Sequence, residues 1–383
     1  MKLSLFSTLW GYRKEYLPKD IFSGIIIAAV SIPISMGYAQ ISGIPAVYGL
    51  YGSVLPILLF ALFSTSRQFI FGVDAAPAAI VGGALSTLGI AAESEAAMDY
   101  VPAIALFAGL WLFIFFLLHA DKIVDFISTP VMGGFISGIA VTIILMQIPK
   151  LMGSPAGSGE LLELAKHIFA AAKNISWLSL FMGLGALILI RLFKKLAPKF
   201  PMAIVIMALG VFSTVVFHVD EKGVVLLQSV ERGLPSLVIP DFGNIDFTQA
   251  AGRGLMVAVV IMAETLLAEN TFAFRNDYKL NDRQEILACA AGNIAAAAVG
   301  CCPVNGSISR TSLNEQYGGK SQAVSITAGI TMAVILLFFT GFIGYLPVPV
   351  LTAIVISALM DVVETHLAVR LFKVSRTEFY IFM

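Results

Sequence analysis

Residues 301–322 read CCPVNGSISRTSLNEQYGGKSQ and place Arg310 inside the apolar second half of the chain. Arginine keeps its charge at any ordinary pH. A cation near the middle of a bilayer costs at least ~2.5 to 3.5 kcal/mol, so such a residue either serves a functional site or is held by a partner. Proline, glycine and short polar residues at 303–309 also interrupt a regular helix there. The stretch therefore predicts an interrupted membrane span with a charge at its break.

The composition of the whole chain is that of a membrane protein. Its 383 residues are 58% hydrophobic and 13% charged, and the mean hydropathy is +0.90. A very hydrophobic soluble helical bundle would need polar residues at helical spacing. Segments such as SLFMGLGALILIRLF, residues 179–193, have no polar face. The predicted fold class is therefore an all-α polytopic membrane protein.

Apolar runs long enough to cross a bilayer predict about twelve membrane spans and the start of another. The spans are predicted at residues 20–41, 45–63, 69–91, 100–119, 128–149, 174–193, 202–218, 251–271, 285–300, 304–317, 321–344 and 347–361. Between the seventh and eighth spans, residues 219–250 have the length and the proline and glycine content of an ordered external loop.

Basic residues predict the orientation of these spans. With the N-terminus inside, most of the 24 Lys and Arg residues fall on the inner side. The aromatic and basic residues 1–19 then form a cytoplasmic, interfacial N-terminus. Residues 20–218 form a first repeat of seven spans, and residues 251–383 form a second, truncated repeat of opposite orientation, with spans 8–12 and the start of span 13.

Two pairs of motifs at corresponding places support an inverted repeat. Span 1, which contains Pro33, corresponds to span 8, and FGVDAAPAAIVGG at 71–83 corresponds to CCPVNGSISR at 301–310. The members of each pair are about 230 residues apart, and interrupted spans at matching places mark a midplane site. Glycine and proline that merely kink helices would not explain this spacing. We therefore predict that spans 3 and 10 are half-helices whose N-termini meet at the midplane.

The start of span 10 favours an anion. Arg310 adds a full charge to the positive end of the half-helix, and Ser307 and Ser309 add hydroxyl donors. The alternative is that Arg310 pairs internally with Glu264 or Asp74 and holds the two halves together. Both interpretations can hold at once.

Two carboxylic acids lie in span 8. Glu264 is in the middle of the span, where a carboxyl without a partner stays uncharged, and this suits proton coupling. Glu269 lies nearer the inner end and off that face. We expect Glu269 to reach the membrane surface.

Other polar residues near the two breaks have less specific expectations. Asp74, at the start of span 3, is expected to cap that half-helix by accepting its free N–H groups. Tyr38 and Gln40 follow the break in span 1 and could line a cavity, and Asn305 and Asn314 could cap or end the short helix of span 10.

Several classes of function are excluded. The chain contains no G-x-S-x-G, H-E-x-x-H or G-x-G-x-x-G motif, and its four histidines are scattered, so we expect neither an enzyme nor a cofactor or metal. The cysteines Cys289, Cys301 and Cys302 lie in apolar segments and are expected to pack there. A net charge of zero gives no general attraction to nucleic acid.

Two longer stretches identify a family. IPISMGYAQISGIPAVYGLYGSVLPILLFALFSTSRQFIFGVDAA, residues 32–76, resembles the signature region of the sulfate permease (SulP) family of anion transporters. NDRQEILACAAGNIAAAAVGCCPVNGSISRTSLNEQYGGKSQ, residues 281–322, is similar to the second signature region of that family. The similarity covers essentially the whole chain, with both regions in the right order.

The resemblance implies a seven-plus-seven inverted repeat divided into a core and a gate domain, and an elevator-like movement of the core. It implies that a small anion binds between spans 3 and 10, and that Glu264 matches a carboxylate that bicarbonate carriers of the family use for cation coupling. The anion contacts implied by the resemblance are Tyr38, Asp74, Ala75, Ser307, Ile308, Ser309 and Arg310.

Two departures from the family pattern add expectations. Many relatives have an uncharged residue at the position of Asp74, and a carboxyl there favours a proton-coupled carrier. The last two spans and the cytoplasmic STAS domain of the family are expected to be absent from this chain.

The resulting hypothesis is secondary active transport of sulfate or a small dicarboxylate, coupled to protons or alternatively to sodium. A bicarbonate symporter or anion exchanger, a nucleobase–proton symporter of the same fold and an anion channel are the alternatives. Arg310 disfavours the nucleobase carrier, which is expected to use carboxylates instead. We expect a homodimer in a bacterial-type plasma membrane, with the lipid bilayer as its other partner.

Overall fold

The computed structural model describes residues 5–122, 129–157, 161–197, 200–243, 245–363, 365–374 and 376–382. Its regular structure is helical, as predicted, apart from one short pair of strands. In chain order, the elements are α1 (Leu17–Ile41), α2 (Ala46–Tyr51), α3 (Leu55–Phe63), β1 (Phe71–Val73), α4 (Ala75–Thr87), α5 (Glu95–Leu118), α6 (Thr129–Leu151), α7 (Leu161–Lys173), α8 (Trp177–Leu196), α9 (Met202–Phe217), α10 (Phe247–Arg275), α11 (Asp282–Ala298), β2 (Val304–Gly306), α12 (Ile308–Tyr317), α13 (Ala323–Phe338), α14 (Val348–Val362), α15 (Thr365–Val374) and α16 (Arg376–Phe382).

Within the described residues, seven helical segments are long and apolar enough to cross a membrane. Three shorter apolar helices, α4, α9 and α13, accompany them. Large apolar side chains such as Phe181, Ile188 and Phe212 are exposed on these helices. In water this surface would cause aggregation, whereas in a bilayer it faces acyl chains. The chain is therefore a multi-pass integral membrane protein.

The described residues form two compact units. The first comprises Met1–Met132 and Leu234–Ala333, and the second comprises Gly133–Gly233 and Val334–Met383. In the first unit, α11 packs against α3 and α5, and α10 also packs against α5. In the second unit, α8 packs against α14, and Arg191 forms a 2.6 Å ion pair with Asp361.

One of the first two predicted spans differs from expectation. Pro33 does not break span 1, because α1 continues through it to Ile41. A membrane helix tolerates an internal proline when surrounding groups satisfy the freed carbonyl. Span 2, predicted at residues 45–63, is found at Ala46–Phe63 and contains a turn at residues 52–54 between α2 and α3. Here the chain packs closely against the first unit's interior, since a Cβ at Gly52 would lie 2.8 Å from a methyl of Val73.

Spans 3 and 10 each begin with an extended segment followed by a short helix, as predicted. β1 precedes α4, and β2 precedes α12. The amphipathic helix α7 was not among the predicted spans. The loop predicted at 219–250 is mostly irregular where it is described. Within the second unit, the backbone N–H of Leu227 in this loop donates a hydrogen bond to the carbonyl of Leu346 at 3.0 Å.

The start of α1 is fastened by one buried carboxylate. Asp20 accepts hydrogen bonds from the backbone N–H of Lys320 at 2.7 Å, the hydroxyl of Ser321 at 2.7 Å and the phenol of Tyr12 at 2.9 Å. Burial, followed by the hydrogen bond to Asp20 and the charge of that carboxylate, raises the pKa of Tyr12 to about 12. Tyr12 therefore remains neutral and donates to Asp20 across the ordinary pH range.

This contact predicts that Tyr12 loses its proton at a higher pH than an ordinary tyrosine. The stabilisation that needs the neutral Tyr12 phenol is complete below the unfolded pKa of ~10 and is lost as the pH rises through about 12. In a spectrophotometric titration of the purified protein, Tyr12→Phe should remove a tyrosinate component that appears near pH 12. The control Tyr345→Phe, at an exposed position, should retain it. Persistence of the component in Tyr12→Phe would contradict the assignment.

Candidate functional site

The segments that precede α4 and α12 pair as a two-stranded antiparallel ribbon in the first unit. The paired residues are Phe71 with Gly306, Gly72 with Asn305, and Val73 with Val304. All of them are buried. Each strand leads directly into its helix, so the ribbon holds the N-termini of both half-helices close together. The predicted meeting of the two half-helices therefore rests on a specific backbone pairing.

Hydrogen bonds beyond the ribbon reinforce this arrangement. The N–H of Ser307 donates to the carbonyl of Ile70 at 2.8 Å, and the N–H of Ile70 donates to the hydroxyl of Thr311 at 3.0 Å. The Thr311 hydroxyl in turn donates to the carbonyl of Ser307 at 2.7 Å. The first turn of α12 is therefore bound to the entrance of β1.

Arg310 lies in the first turn of α12 and is only 1% exposed. Its Nη2 donates to the carbonyl of Val73 at 2.8 Å, and its Nη1 reaches the hydroxyl of Ser31 at 3.5 Å. Its Nε has no hydrogen-bond acceptor among the described residues. A guanidinium carries five N–H donors, so these two contacts leave donors available for a bound anion.

A glycine opposite Arg310 makes room for the guanidinium. A Cβ built on Gly72 would stand 2.9 Å from Nη1 of Arg310. A side chain at this position of β1 would therefore require the guanidinium to shift. The absence of a side chain at Gly72 is therefore part of the site.

Asp74 faces Arg310 without forming a close ion pair. Its Oδ1 is 3.9 Å from Nη2 of Arg310, and the hydroxyl of Ser307 donates to Oδ1 at 3.4 Å. The hydroxyls of Ser307 and Ser309 are also 3.4 Å apart. The cation, the carboxyl and both hydroxyls that the sequence singled out therefore form one cluster.

The prediction that Asp74 caps α4 is wrong. Asp74 occupies the N-cap position but makes no side-chain capping hydrogen bond, because it turns towards Ser307 and Arg310. The backbone donor that interacts with its carboxyl is the N–H of Ala75, at the very start of α4. Ser307 likewise makes no capping bond to α12. By contrast, Asp246 and Asn281 cap α10 and α11 with their side chains. The N-termini of the two half-helices thus keep N–H groups that can meet an anion.

The remaining predicted contacts lie on α1, α4 and α12. Tyr38 is buried on α1 and interacts electrostatically with Arg310. Ala75 and Ile308 are the first residues of α4 and α12, and Ala75 is buried whereas Ile308 is 42% exposed. Gln40 lies two residues after Tyr38 and is half-buried.

Glu264 does not pair with Arg310. Its Oε2 accepts a 2.6 Å hydrogen bond from the amide of Asn305, whose Oδ1 accepts one of 2.6 Å from the hydroxyl of Thr265. The backbone N–H of Gly306 donates to that hydroxyl at 3.3 Å. Two neighbouring side chains of α10, Glu264 and Thr265, thus bind β2. Of the two internal ion pairs predicted as alternatives for Arg310, the one with Glu264 does not form, and the one with Asp74 forms at 3.9 Å.

Neither asparagine caps or ends α12 as expected. Asn305 lies in β2 and joins it to α10. Asn314 lies within α12, accepts a 2.7 Å hydrogen bond from Ser23 on α1 and donates one of 2.7 Å to the carbonyl of Gln68. Both amides connect different parts of the first unit instead.

Glu269 also differs from expectation. It is fully buried in the first unit and does not reach a surface. Composition hides this, because protein-facing and lipid-facing positions of an apolar helix have similar composition. Sequence reasoning also missed Ser31, Gly72 and Thr265, although each lies close in the chain to a residue that was singled out. In the part of the chain that is described, no group of three or more His, Cys, Asp or Glu residues could hold a metal ion.

Comparisons with known proteins find similarity over nearly the whole chain. A model of the sulfate permease family matches residues 17–383. A probable sulfate transporter of Mycobacterium tuberculosis is 26% identical over 367 residues, which cover 96% of this chain and 65% of the relative. The chloroplastic sulfate transporter 4.1 of Arabidopsis thaliana is 30% identical over 381 residues, which cover 96% of this chain and 55% of the relative. The chain therefore spans less than two thirds of the length of either protein.

A solved structure has the same fold. The transmembrane domain of the cyanobacterium bicarbonate transporter BicA matches with a TM-score of 0.88 at 20% sequence identity, covering 97% of this chain and 94% of that one. This likeness confirms the predicted fold class, an all-α membrane fold built on inverted repeats with two half-helices.

The side-chain bridge from α10 to β2 predicts a large effect of one substitution. Asn305→Ala removes the donor to Glu264 and the acceptor of Thr265, and each unpaired buried group costs about 1 to 3 kcal/mol. We expect a clearly lower apparent Tm in detergent. The control Asn270→Ala, at an exposed position of α10, loses hydrogen bonds to Leu266 and Asp282 that water can replace, and should change Tm little. Equal Tm values for the two variants would show that the bridge contributes nothing to stability.

Proposed function

The chain belongs to the sulfate permease family, and from that premise we propose that it transports a small anion, sulfate or a dicarboxylate, by secondary active transport. The observation that carries the proposal is the buried guanidinium of Arg310 between two helix N-termini without side-chain caps. The two relatives described above are named as sulfate transporters, which supports the choice of anion.

The charges around the site suit a dianion. Arg310 and two helix ends of roughly half a charge each together supply about two positive charges. Asp74, 3.9 Å from Arg310, opposes a dianion when it is ionised and not when it holds a proton. Sulfate binding together with protonation of a nearby carboxyl is therefore the favoured combination.

Glu264 is the proposed coupling residue. It is buried, its partner is the neutral amide of Asn305, and it interacts electrostatically with Asp74. An amide hydrogen-bonds to either protonation state of a carboxyl, so Glu264 can take up and release a proton without losing its partner. Sodium remains the alternative coupling ion.

The proposed mechanism is an elevator in which the first unit carries the anion across the membrane. All the candidate site residues lie in the first unit, and this supports such a division of labour. The proposal includes a homodimer in the plasma membrane, with the N-terminus in the cytoplasm. A saturable uptake that responds to an imposed proton gradient would distinguish this carrier from an anion channel.

Removing Arg310 tests the anion site. A charge-assisted hydrogen bond is worth about 1.5 to 3 kcal/mol, so Arg310→Ala should weaken anion affinity by about 10- to 100-fold. Uptake of radiolabelled sulfate into proteoliposomes measures the effect, and size-exclusion chromatography checks folding. The control Arg275→Ala loses an exposed ion pair with Glu315 and a cation–π contact with Phe272, and should transport as the wild type does. Unchanged uptake by Arg310→Ala would remove Arg310 from the site.

Replacing Glu264 tests coupling separately. Glu264→Gln keeps a polar group next to Asn305 but holds no exchangeable charge. We expect sulfate exchange to continue in proteoliposomes, while stimulation by an inward proton gradient is lost. The control Glu15→Gln, at an exposed position before α1, should keep the stimulation. Full stimulation of Glu264→Gln would exclude Glu264 as the coupling residue.

A further inference from the structure

A second pair of carboxyl groups is buried in the first unit, outside the cluster around Arg310. Glu269 lies on α10, one turn after Thr265, and Glu285 lies in the first turn of α11. Both are 0% exposed. Their carboxyl groups lie within hydrogen-bonding reach of each other.

The two carboxyls have very different surroundings. Glu285 accepts hydrogen bonds from the hydroxyl of Ser64 at 2.8 Å, from the backbone N–H of Thr65 at 2.5 Å and from the hydroxyl of Thr65. Both of its oxygens therefore have donors. These donors stabilise Glu285 as a carboxylate despite its burial.

Glu269 has no such donors. Neither of its oxygens has a hydrogen-bond partner among the described residues. The titratable groups that face the pair are Asp282 and Cys289 on α11 and Tyr278 in the preceding loop. Arg67 stacks on the ring of Tyr278, 5.3 Å from its centroid, and no ion pair joins a described cation to Glu269 or Glu285.

Two ionised carboxyls in contact, buried and without a cation, would repel strongly. A single proton removes the difficulty, as it does in carboxyl pairs that share one proton. If Glu269 holds that proton, its O–H donates to Glu285. Glu269, which accepts no hydrogen bond from the described residues, then makes one as a donor. A metal ion fits less well, because hydrogen-bond donors already occupy both oxygens of Glu285.

We propose that Glu269 and Glu285 form a proton-binding site that holds one shared proton between α10 and α11. This site is separate from Glu264, which hydrogen-bonds to Asn305 in β2. It lies one helical turn along α10 from Thr265, whose hydroxyl accepts the N–H of Gly306. The proton thus fastens α10 to α11 close to where α10 supports β2. The proposal does not depend on which anion the protein carries, or on transport.

The shared proton has a defined effect on stability. The folded protein keeps a proton that the unfolded chain releases above the ordinary glutamate pKa of ~4.3. The free energy of unfolding then falls as the pH rises from about 5, because the folded protein still holds a proton that the unfolded chain has released. The fall ends at the pH at which the folded pair also loses its proton. An ion-paired carboxylate makes the free energy of unfolding rise with pH. The shared proton makes it fall instead.

The test compares variants of the purified protein in detergent by thermal unfolding from about pH 5 to pH 9. Glu269→Gln keeps a donor to Glu285 and cannot ionise, so we expect a higher apparent Tm than wild type at alkaline pH and a flatter pH profile. Glu269→Leu, which leaves no polar atom unpaired at this position, should flatten the profile in the same way. The matched control Glu315→Gln, whose carboxylate pairs with Arg275, should keep the wild-type profile.

Infrared spectroscopy provides a second measurement, which reports the protonation of Glu269 and would not change if this residue only contributed packing. At neutral pH, subtracting the spectrum of Glu269→Gln or Glu269→Leu from that of the wild type should leave the carbonyl-stretch band of a protonated carboxyl, because bands from other carboxyls such as Glu264 cancel. Subtracting the spectrum of Glu315→Gln should leave no such band. The proposal is overturned if neither difference spectrum of the Glu269 variants contains that band, or if the pH profiles of both variants match the wild type. It is also overturned if added sodium, and not a lower pH, restores the stability of the wild type, since the pair would then bind a metal cation.

Discussion

The pairing of β1 with β2 is the constraint on which the rest of the site depends. Extended backbone inside a membrane has no water to satisfy its N–H and C=O groups, and the two segments satisfy each other. Because each strand continues directly into a half-helix, the same pairing holds both helix N-termini in place. It also brings the carbonyl of Val73 within 2.8 Å of Arg310. One short ribbon therefore solves a hydrogen-bonding problem and builds a positively charged site.

The charged and ionisable side chains around that ribbon have three different kinds of partner. Arg310 is held by a carbonyl and a hydroxyl, with Asp74 at 3.9 Å, which leaves part of its charge available. Glu264 has a neutral amide as its partner. The pair of Glu269 and Glu285 has donors on only one side. Helix α10 contacts two of these arrangements, so it links the proposed anion site to the proposed proton site within a few residues.

Some of this could be predicted from the sequence, and some could not. Glycine, proline and short polar residues beside Asp74 and Arg310 predicted two interrupted spans, because such residues cannot continue a membrane helix without special partners. The same reasoning was wrong for Pro33, which α1 accommodates, and for Glu269, which is buried. In an apolar helix, lipid-facing and protein-facing positions look alike, so neither burial nor the tolerance of a kink follows from composition.

The sequence by itself determined the membrane class, the family, the two breaks and the positive sign of the site, since these depend on local composition and on a permanently charged side chain. The tertiary structure alone decided which donor meets which acceptor. Asp74 turns from its own helix to Ser307, Asn305 joins β2 to Glu264, and Ser64 donates to Glu285 across 221 residues of chain. Partners so distant in the chain are selected by packing, and packing leaves no local signal in a uniformly apolar sequence.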